Sequence, residues 1–229
     1  MKKLIFCILL LTVPAATALM AQQSAQPAVA PTQGNFVPDD DGGLTEIVPA
    51  SFQGTTSRQS DALPVMKSVQ QVSIFLGAAW GDQQVRSRQT GLLDLAARGN
   101  QPALADLQSR KVEMLPAANK VEDLSDLSKT TINDLTIQHK LAEMLESKVI
   151  PLPAASTVYV IFLAPGINST LGQSKAVADY AAYHNLIHLE AGEVRYVVVP
   201  YHNSADSHSA AAARALVDTA FNPTATTPN

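Results

Sequence analysis

The chain has 229 residues, 46% of them hydrophobic and 16% charged, with a formal net charge of −4. That mild acidity, without any cluster of Lys and Arg, excludes nucleic acid as a partner, because phosphate binding needs a concentrated basic face. The single cysteine, Cys7, lies in the first apolar run, so the rest of the chain has no thiol for a disulfide, a thiolate zinc site or a nucleophile.

Residues 1–21 read as a secretory signal peptide. Lys2 and Lys3 precede an apolar run over 4–13, and Ala16-Thr17-Ala18 supplies the small-x-small pattern of a cleavage site, with Ala21 as a second one. Pro14 stops the run short of the roughly 20 apolar residues that a membrane anchor requires. The expected product is secreted or periplasmic, with no transmembrane anchor after cleavage. Residues 22–66 are rich in Gln, Ala, Pro, Ser, Thr and Gly and read as a flexible linker. Its consecutive Asp39, Asp40 and Asp41 lack the alternating ligands of a calcium loop and read as a solvated turn. Residues 67–223 make up one folded domain, and 224–229 a disordered tail.

Within the domain, the β-branched and apolar run 71–76 predicts a first strand. Asp82 is placed to cap a helix over 83–98, in which Val85, Leu92, Leu93 and Ala96 share a face. A second helix is expected over 102–110 and a short strand over 112–115. Thr131 to Asp134 has the form of a capping box before a helix that carries Ile137, Leu141, Met144 and Leu145. Residues 157–163, apolar throughout, predict a strand covered on both faces, as in the middle of a parallel sheet. A helix is expected over 174–183, a second buried strand over 194–199 and a last helix over 207–221, its buried face made by Ala213, Leu216, Val217 and Ala220. This alternation predicts the α/β class: a single domain with a largely parallel central sheet flanked by helices.

In such a sheet, ligands sit beyond the carboxyl ends of the strands. Three segments meet that condition: 77–82, 165–172 and 201–208. Trp80 and Tyr201 are the candidate ligand-binding aromatics, suited to stacking on a sugar. Four of the five histidines, His184, His188, His202 and His208, lie within 25 residues of one another. On a helix His184 and His188 would share a face, and His202 or His208 would add a third ligand, so His184, His188 and His202 form the candidate metal set, with zinc the candidate cofactor. Glu190, Glu193 and Asp206 are near in sequence. No Glu sits between the first two histidines as in the His-Glu-x-x-His pattern. The segment 166–172 lacks the spacing of a phosphate loop, no Gly-x-Ser-x-Gly elbow surrounds Ser169, and Asn168-Ser169-Thr170 matches a glycosylation sequon that recurs often by chance.

Two stretches carry a family resemblance. Val72-Ser73-Ile74-Phe75-Leu76-Gly77-Ala78-Ala79-Trp80 resembles the opening of the exordium-like, or phosphate-induced, secreted proteins. Val158-Tyr159-Val160-Ile161-Phe162-Leu163-Ala164-Pro165-Gly166, with the later Tyr183-His184-Asn185, is similar to a second segment of that family. The plant members carry cysteines in this region and this chain has none. The resemblance implies an extracellular protein linked to growth and no defined activity. The last helix resembles a secreted bacterial metallohydrolase motif, Ser-His-Glu-Leu-Val-Glu-Ala-x-Thr-Asp-Pro, in degenerate form. Arg214 and Ala215 stand where it has His and Glu, and Asp218 keeps one carboxylate. Arg and Ala cannot act as a metal ligand and a general base.

The leading expectation is an exported, non-catalytic binding or envelope-associated protein with a cell-envelope or polysaccharide ligand. The alternatives are a metal-assisted hydrolase built on the histidines and a carbohydrate-binding module using Trp80 and Tyr201.

Overall fold

The computed structural model describes residues 65–97, 101–118, 120–127 and 131–222. The expected signal segment, the expected linker up to residue 64 and the expected tail lie outside the described residues. The last two residues of that linker belong to the domain. Met66 is buried, and the backbone N–H groups of Val65 and Met66 both donate to the Ala220 carbonyl.

In chain order the strands are β1 (Ser68–Leu76), β2 (Glu113–Leu115), β3 (Lys120–Asp123), β4 (Thr131–Asn133), β5 (Thr157–Leu163), β6 (Asn168–Leu171), β7 (Ser174–Lys175), β8 (Tyr183–Leu189) and β9 (Gly192–Val199). The helices are α1 (Gln83–Arg86), α2 (Pro102–Ser109), α3 (Asp134–Glu146) and α4 (Ala205–Phe221). The central sheet runs β2-β1-β5-β9-β8, with β3 continuing the edge begun by β2 along the same side of β1. Every pairing in it is parallel except β8 with β9, an antiparallel hairpin that closes one edge. Strand β5 lies between β1 and β9 and all seven of its residues are buried, which is why its sequence is a continuous apolar run. A second sheet, β4-β6-β7, stands beside the first.

Alternation along β8 assigns the two layers. Tyr183 and Asn185 reach Asp134 at the start of α3, while His184 between them reaches Asn222 at the end of α4. Helices α3 and α4 therefore cover opposite faces. On the α4 side, α2 packs against α4, and Arg110 lies 4.9 Å over the Phe221 ring.

Asp134 is the tie between α3 and the sheet. Fully buried, it accepts hydrogen bonds from the Tyr183 and Tyr196 hydroxyls, from Asn185 Nδ2 and from Gln138 Nε2, all at 2.8–2.9 Å. Burial and the adjacent carboxylate hold both phenols well above the usual tyrosine range, so they remain donors.

Four local expectations are corrected. The helix over 83–98 is confined to α1 and a 3-10 turn at Gln89–Gly91. The buried side chains of β1 take over the backbone beyond it: Gln71 donates to the Leu92 carbonyl and accepts from the Leu95 N–H, and the Ser73 hydroxyl reaches the Leu92 and Leu93 carbonyls. A helix over these residues would have to surrender those bonds. Thr131 does not cap α3, because it lies in β4. Asn133 is the cap, its side chain accepting from the Thr136 N–H. The helix over 174–183 is instead the β6–β7 hairpin followed by a turn. The two-residue loop Gly172-Gln173, with φ +58° at Gly172, joins the hairpin strands, and Asp179 accepts from the Lys175 N–H. His184 and His188 lie on β8, not on a helix.

Replacing Asp134 by Asn keeps its size but turns an amide donor toward groups that are themselves donors. The expected cost is about 2–4 kcal/mol in urea-induced unfolding, with Tyr183→Phe costing less. A second constraint sits at the end of β1, where Gly77 has φ +117° and an added Cβ would lie 2.6 Å from Ile167 Cδ1 and 2.7 Å from Ala164 Cβ. Gly77→Ala should lower stability by about 2–4 kcal/mol, read as a fall in the thermal midpoint.

Candidate functional site

The carboxyl ends of β5 and β9 open onto a cleft of about 640 Å³. One wall is the loop after β5, with Pro165, Gly166 and Ile167, running into Asn168, Ser169 and Thr170 of β6. The other is the loop between β9 and α4, with Pro200, Tyr201 and Asn203. Thr131 of β4 and the segment from Lys175 to Ala178 complete it. This is where an open parallel sheet presents its loops to a ligand.

The lining is rich in neutral hydrogen-bonding groups. Asn168, Asn203, Thr131, Thr170, Ser169 and Tyr201 supply amides and hydroxyls, and Lys175 is the one charged residue of the lining among the described residues. Ser169 is nearly buried, with its Oγ 2.9 Å from the Tyr180 hydroxyl. Burial raises that phenol to about 12, so it stays protonated. At the lip, Val177 is 59% exposed and has φ +65°, a conformation that a β-branched residue rarely adopts. The turn around it is held by Val177 N–H donating to the Tyr180 carbonyl and Asp179 N–H to the Lys175 carbonyl. Strain of this kind costs about 1–3 kcal/mol and concentrates at ligand clamps.

Behind Tyr201 lies an aromatic cluster at the ends of β1, β5 and β9. Trp80 is fully buried, its indole N–H donating to the Phe162 carbonyl at 2.9 Å and its ring set edge-on to Phe75. It is therefore a packing residue joining the loop after β1 to β5, and it offers no face to the cleft. Tyr201 alone of the two candidate aromatics lines the cleft. Arg88 lies 5.2 Å over its ring and donates to the His202 and Asn203 carbonyls, which pins this loop.

The histidines of the candidate metal set do not converge, although His202 lies beside His208 with ring centroids 5.6 Å apart. His184 is buried, its Nε2–H donating to the Asn222 carbonyl, and burial lowers its pKa below the usual value. His188 is exposed and lies 3.6 Å from Glu193 across the hairpin. Four residues apart on a strand, the two are separated by about 13 Å of backbone, which breaks the shared helical face on which the metal set depended. His202, in the loop after β9, donates to the Ala181 carbonyl just ahead of β8. Among the described residues, no group of three or more His, Cys, Asp and Glu is placed to hold a metal ion. In α4, Arg214 is exposed and Ala215 is fully buried.

His208 is the outlier. It is fully buried in the first turns of α4, stacked on Trp80 at 6.3 Å and edge-on to Phe162 and Tyr201 at 5.5 and 5.6 Å. Neither ring nitrogen has a hydrogen-bond partner among the described residues. A buried polar atom left in that state costs about 1–3 kcal/mol.

Part of this site was hidden from sequence reasoning. Thr131 was expected to cap a helix, and Lys175 and Val177 to lie within one. Gly172 and Asp179, both turn formers, are the signals that favour the hairpin instead. No protein-family model matches the chain, and neither a curated protein nor a solved structure matches it.

Burial, the neighbouring His202 and the Arg88 guanidinium push His208 down to about 3, against an ordinary value of 6.5. Between these values the unfolded chain binds a proton that the folded chain refuses. The stability is therefore whole above pH 6.5 and is lost as the pH falls toward 3. His208→Phe should flatten the decline in unfolding free energy from about pH 6.5 to pH 4 by up to ~1.4 kcal/mol per pH unit. Parallel declines for variant and wild type in urea unfolding would show that His208 is not held neutral.

Proposed function

We propose that this chain is an exported, non-catalytic binding protein of the exordium-like kind, and that it holds a small uncharged ligand of carbohydrate type in the cleft at the ends of β5 and β9. The observation that carries the reading is the lining of that cleft. Amide and hydroxyl groups of Asn168, Asn203, Thr131 and Thr170 surround an aromatic wall, Tyr201, and no carboxylate lines the cleft among the described residues. Hydroxyl groups need partners that both donate and accept, which amides and hydroxyls provide, and an aromatic face takes the C–H face of a sugar ring. Lys175, the one cation of the lining among the described residues, gives too little charge for a polyanion.

Two further features support the reading. The amino-terminal segment, with Lys2, Lys3, an apolar run and Ala16-Thr17-Ala18, has the form of an export signal, which would bring the domain to envelope or extracellular polysaccharide. Arg214 and Ala215 occupy the places where the related metallohydrolase motif has its ligand and base, which favours binding over hydrolysis.

Calorimetric titration of the protein with neutral mono- and disaccharides tests the reading. Saturable binding is expected, weakened about tenfold, or ~1.4 kcal/mol, by Tyr201→Ala and left unchanged by His188→Ala at the distant hairpin. Absence of binding across the series, or equal affinity in the Tyr201 variant, would remove the carbohydrate assignment.

A further inference from the structure

Tyr201 lines the cleft and also packs at 72° against the His208 ring, their centroids 5.6 Å apart. We infer that a second subsite lies behind Tyr201, in which the imidazole of His208 binds a hydroxyl group of the ligand once the Tyr201 ring swings aside; the inference rests on the carbohydrate reading of the cleft.

The first observation behind it is the orphaned imidazole itself. His208 is 0% exposed, and both of its ring nitrogens lack a hydrogen-bond partner among the described residues. An aromatic hydrocarbon would fill the place without that penalty, so a histidine here calls for an explanation beyond packing. A neutral imidazole presents one N–H and one lone pair, and a hydroxyl group is both acceptor and donor, so the two are complementary in either tautomer. Burial and two cationic or ionisable neighbours, Arg88 and His202, keep the ring in that neutral form.

The surroundings narrow the chemistry further. The Trp80 ring is stacked on His208, Phe162 and Tyr201 stand edge-on to it and the His202 ring lies 5.6 Å away, so apart from His202 the walls around the imidazole are aromatic. A cation is disfavoured by the nearby Arg88, which already depresses protonation of His208. An anion gains little, because the Arg88 guanidinium is engaged with the His202 and Asn203 carbonyls and lies over the Tyr201 ring. An uncharged polyhydroxylated ring is what remains.

The same Arg88 contacts hold the subsite shut. The guanidinium binds the ring of Tyr201 and the carbonyls of the next two residues, so it latches the whole loop from Tyr201 to Asn203 over His208. A ligand in the cleft touches Tyr201 and Asn203 first, and its contacts there can replace those that keep the loop down.

The test uses the ¹⁵N-labelled full chain with methyl glucoside and methyl galactoside as probes, and His208→Phe to assign the His208 ring signals. The expected result is that His208 imidazole resonances shift with the same midpoint as the side-chain amides of Asn168 and Asn203. His208→Phe should bind at least tenfold more weakly while melting no lower than wild type. If the Asn168 and Asn203 signals move, the His208 ring signals do not, and His208→Phe binds as tightly as wild type, the subsite is overturned and the cleft reading stands. If none of these signals moves with either glycoside, both fall. Should His208→Phe not fold, the ring resonances of the wild-type protein decide alone, with His139, His184, His188 and His202 assigned by their own alanine variants so that His208, the last of the five histidines, is identified by elimination.

Discussion

A buried carboxylate organises one whole side of this domain. Asp134 begins α3 directly after the strand β4, and its two oxygens collect donors from β8, from β9 and from one turn further along its own helix. Burying such a group without partners would be prohibitive, so the position of α3 over the sheet is set by the one arrangement in which four neutral donors converge. The placement of β4 follows, because it runs straight into α3, and with it the second sheet, since β6 pairs with β4 and β7 with β6. The cleft wall built from Thr131, Asn168 and Thr170 thus depends on a hydrogen-bond network that none of those residues joins.

The other side is organised by apolar packing with a polar exception at its end. Phe75 and Phe162 stack across the ends of β1 and β5 with Trp80 edge-on to Phe75, and Gly77 lets the chain turn there because no side chain fits between Ile167 and Ala164. Trp80 closes the crevice between the two strands, and this displaces the open cleft toward β5 and β9. His208 sits at the join of the two regions. Its orphaned nitrogens are the place where the local rule of satisfied buried polar groups fails, and such failures concentrate at functional positions.

Much of the architecture was legible in the chain. The apolar runs of β5 and β9 announced buried parallel strands, and the 3.6-residue spacing of Ile137, Leu141, Met144 and Leu145 announced α3. The elements misread from sequence share one cause, namely competition from groups distant in the chain. Gln71 and Ser73 withdraw the backbone of Leu92 to Leu95 from helical bonding, although the apolar spacing there is helical. The pairing of β8 with β9 draws His184 and His188 into a strand, although their spacing also fits a helix. The place of Tyr201 at the strand-end cleft was legible because it follows a buried strand. Trp80 met the same criterion, and only its bond to the Phe162 carbonyl shows that it faces inward.

By itself, the amino-acid sequence determined the α/β class, the central place of β5 and the lack of thiol chemistry beyond Cys7. These depend on composition, periodicity or the identity of a single residue, all of which are local. Tertiary structure alone decided that Asp134 anchors α3, that His184, His188 and His202 form no metal cluster among the described residues, that Tyr201 and not Trp80 lines the cleft, and that His208 is buried without a hydrogen-bond partner among the described residues. Each of these is a relation between side chains tens of residues apart. Hydrogen bonding and burial act on distance in space, which a linear pattern does not encode.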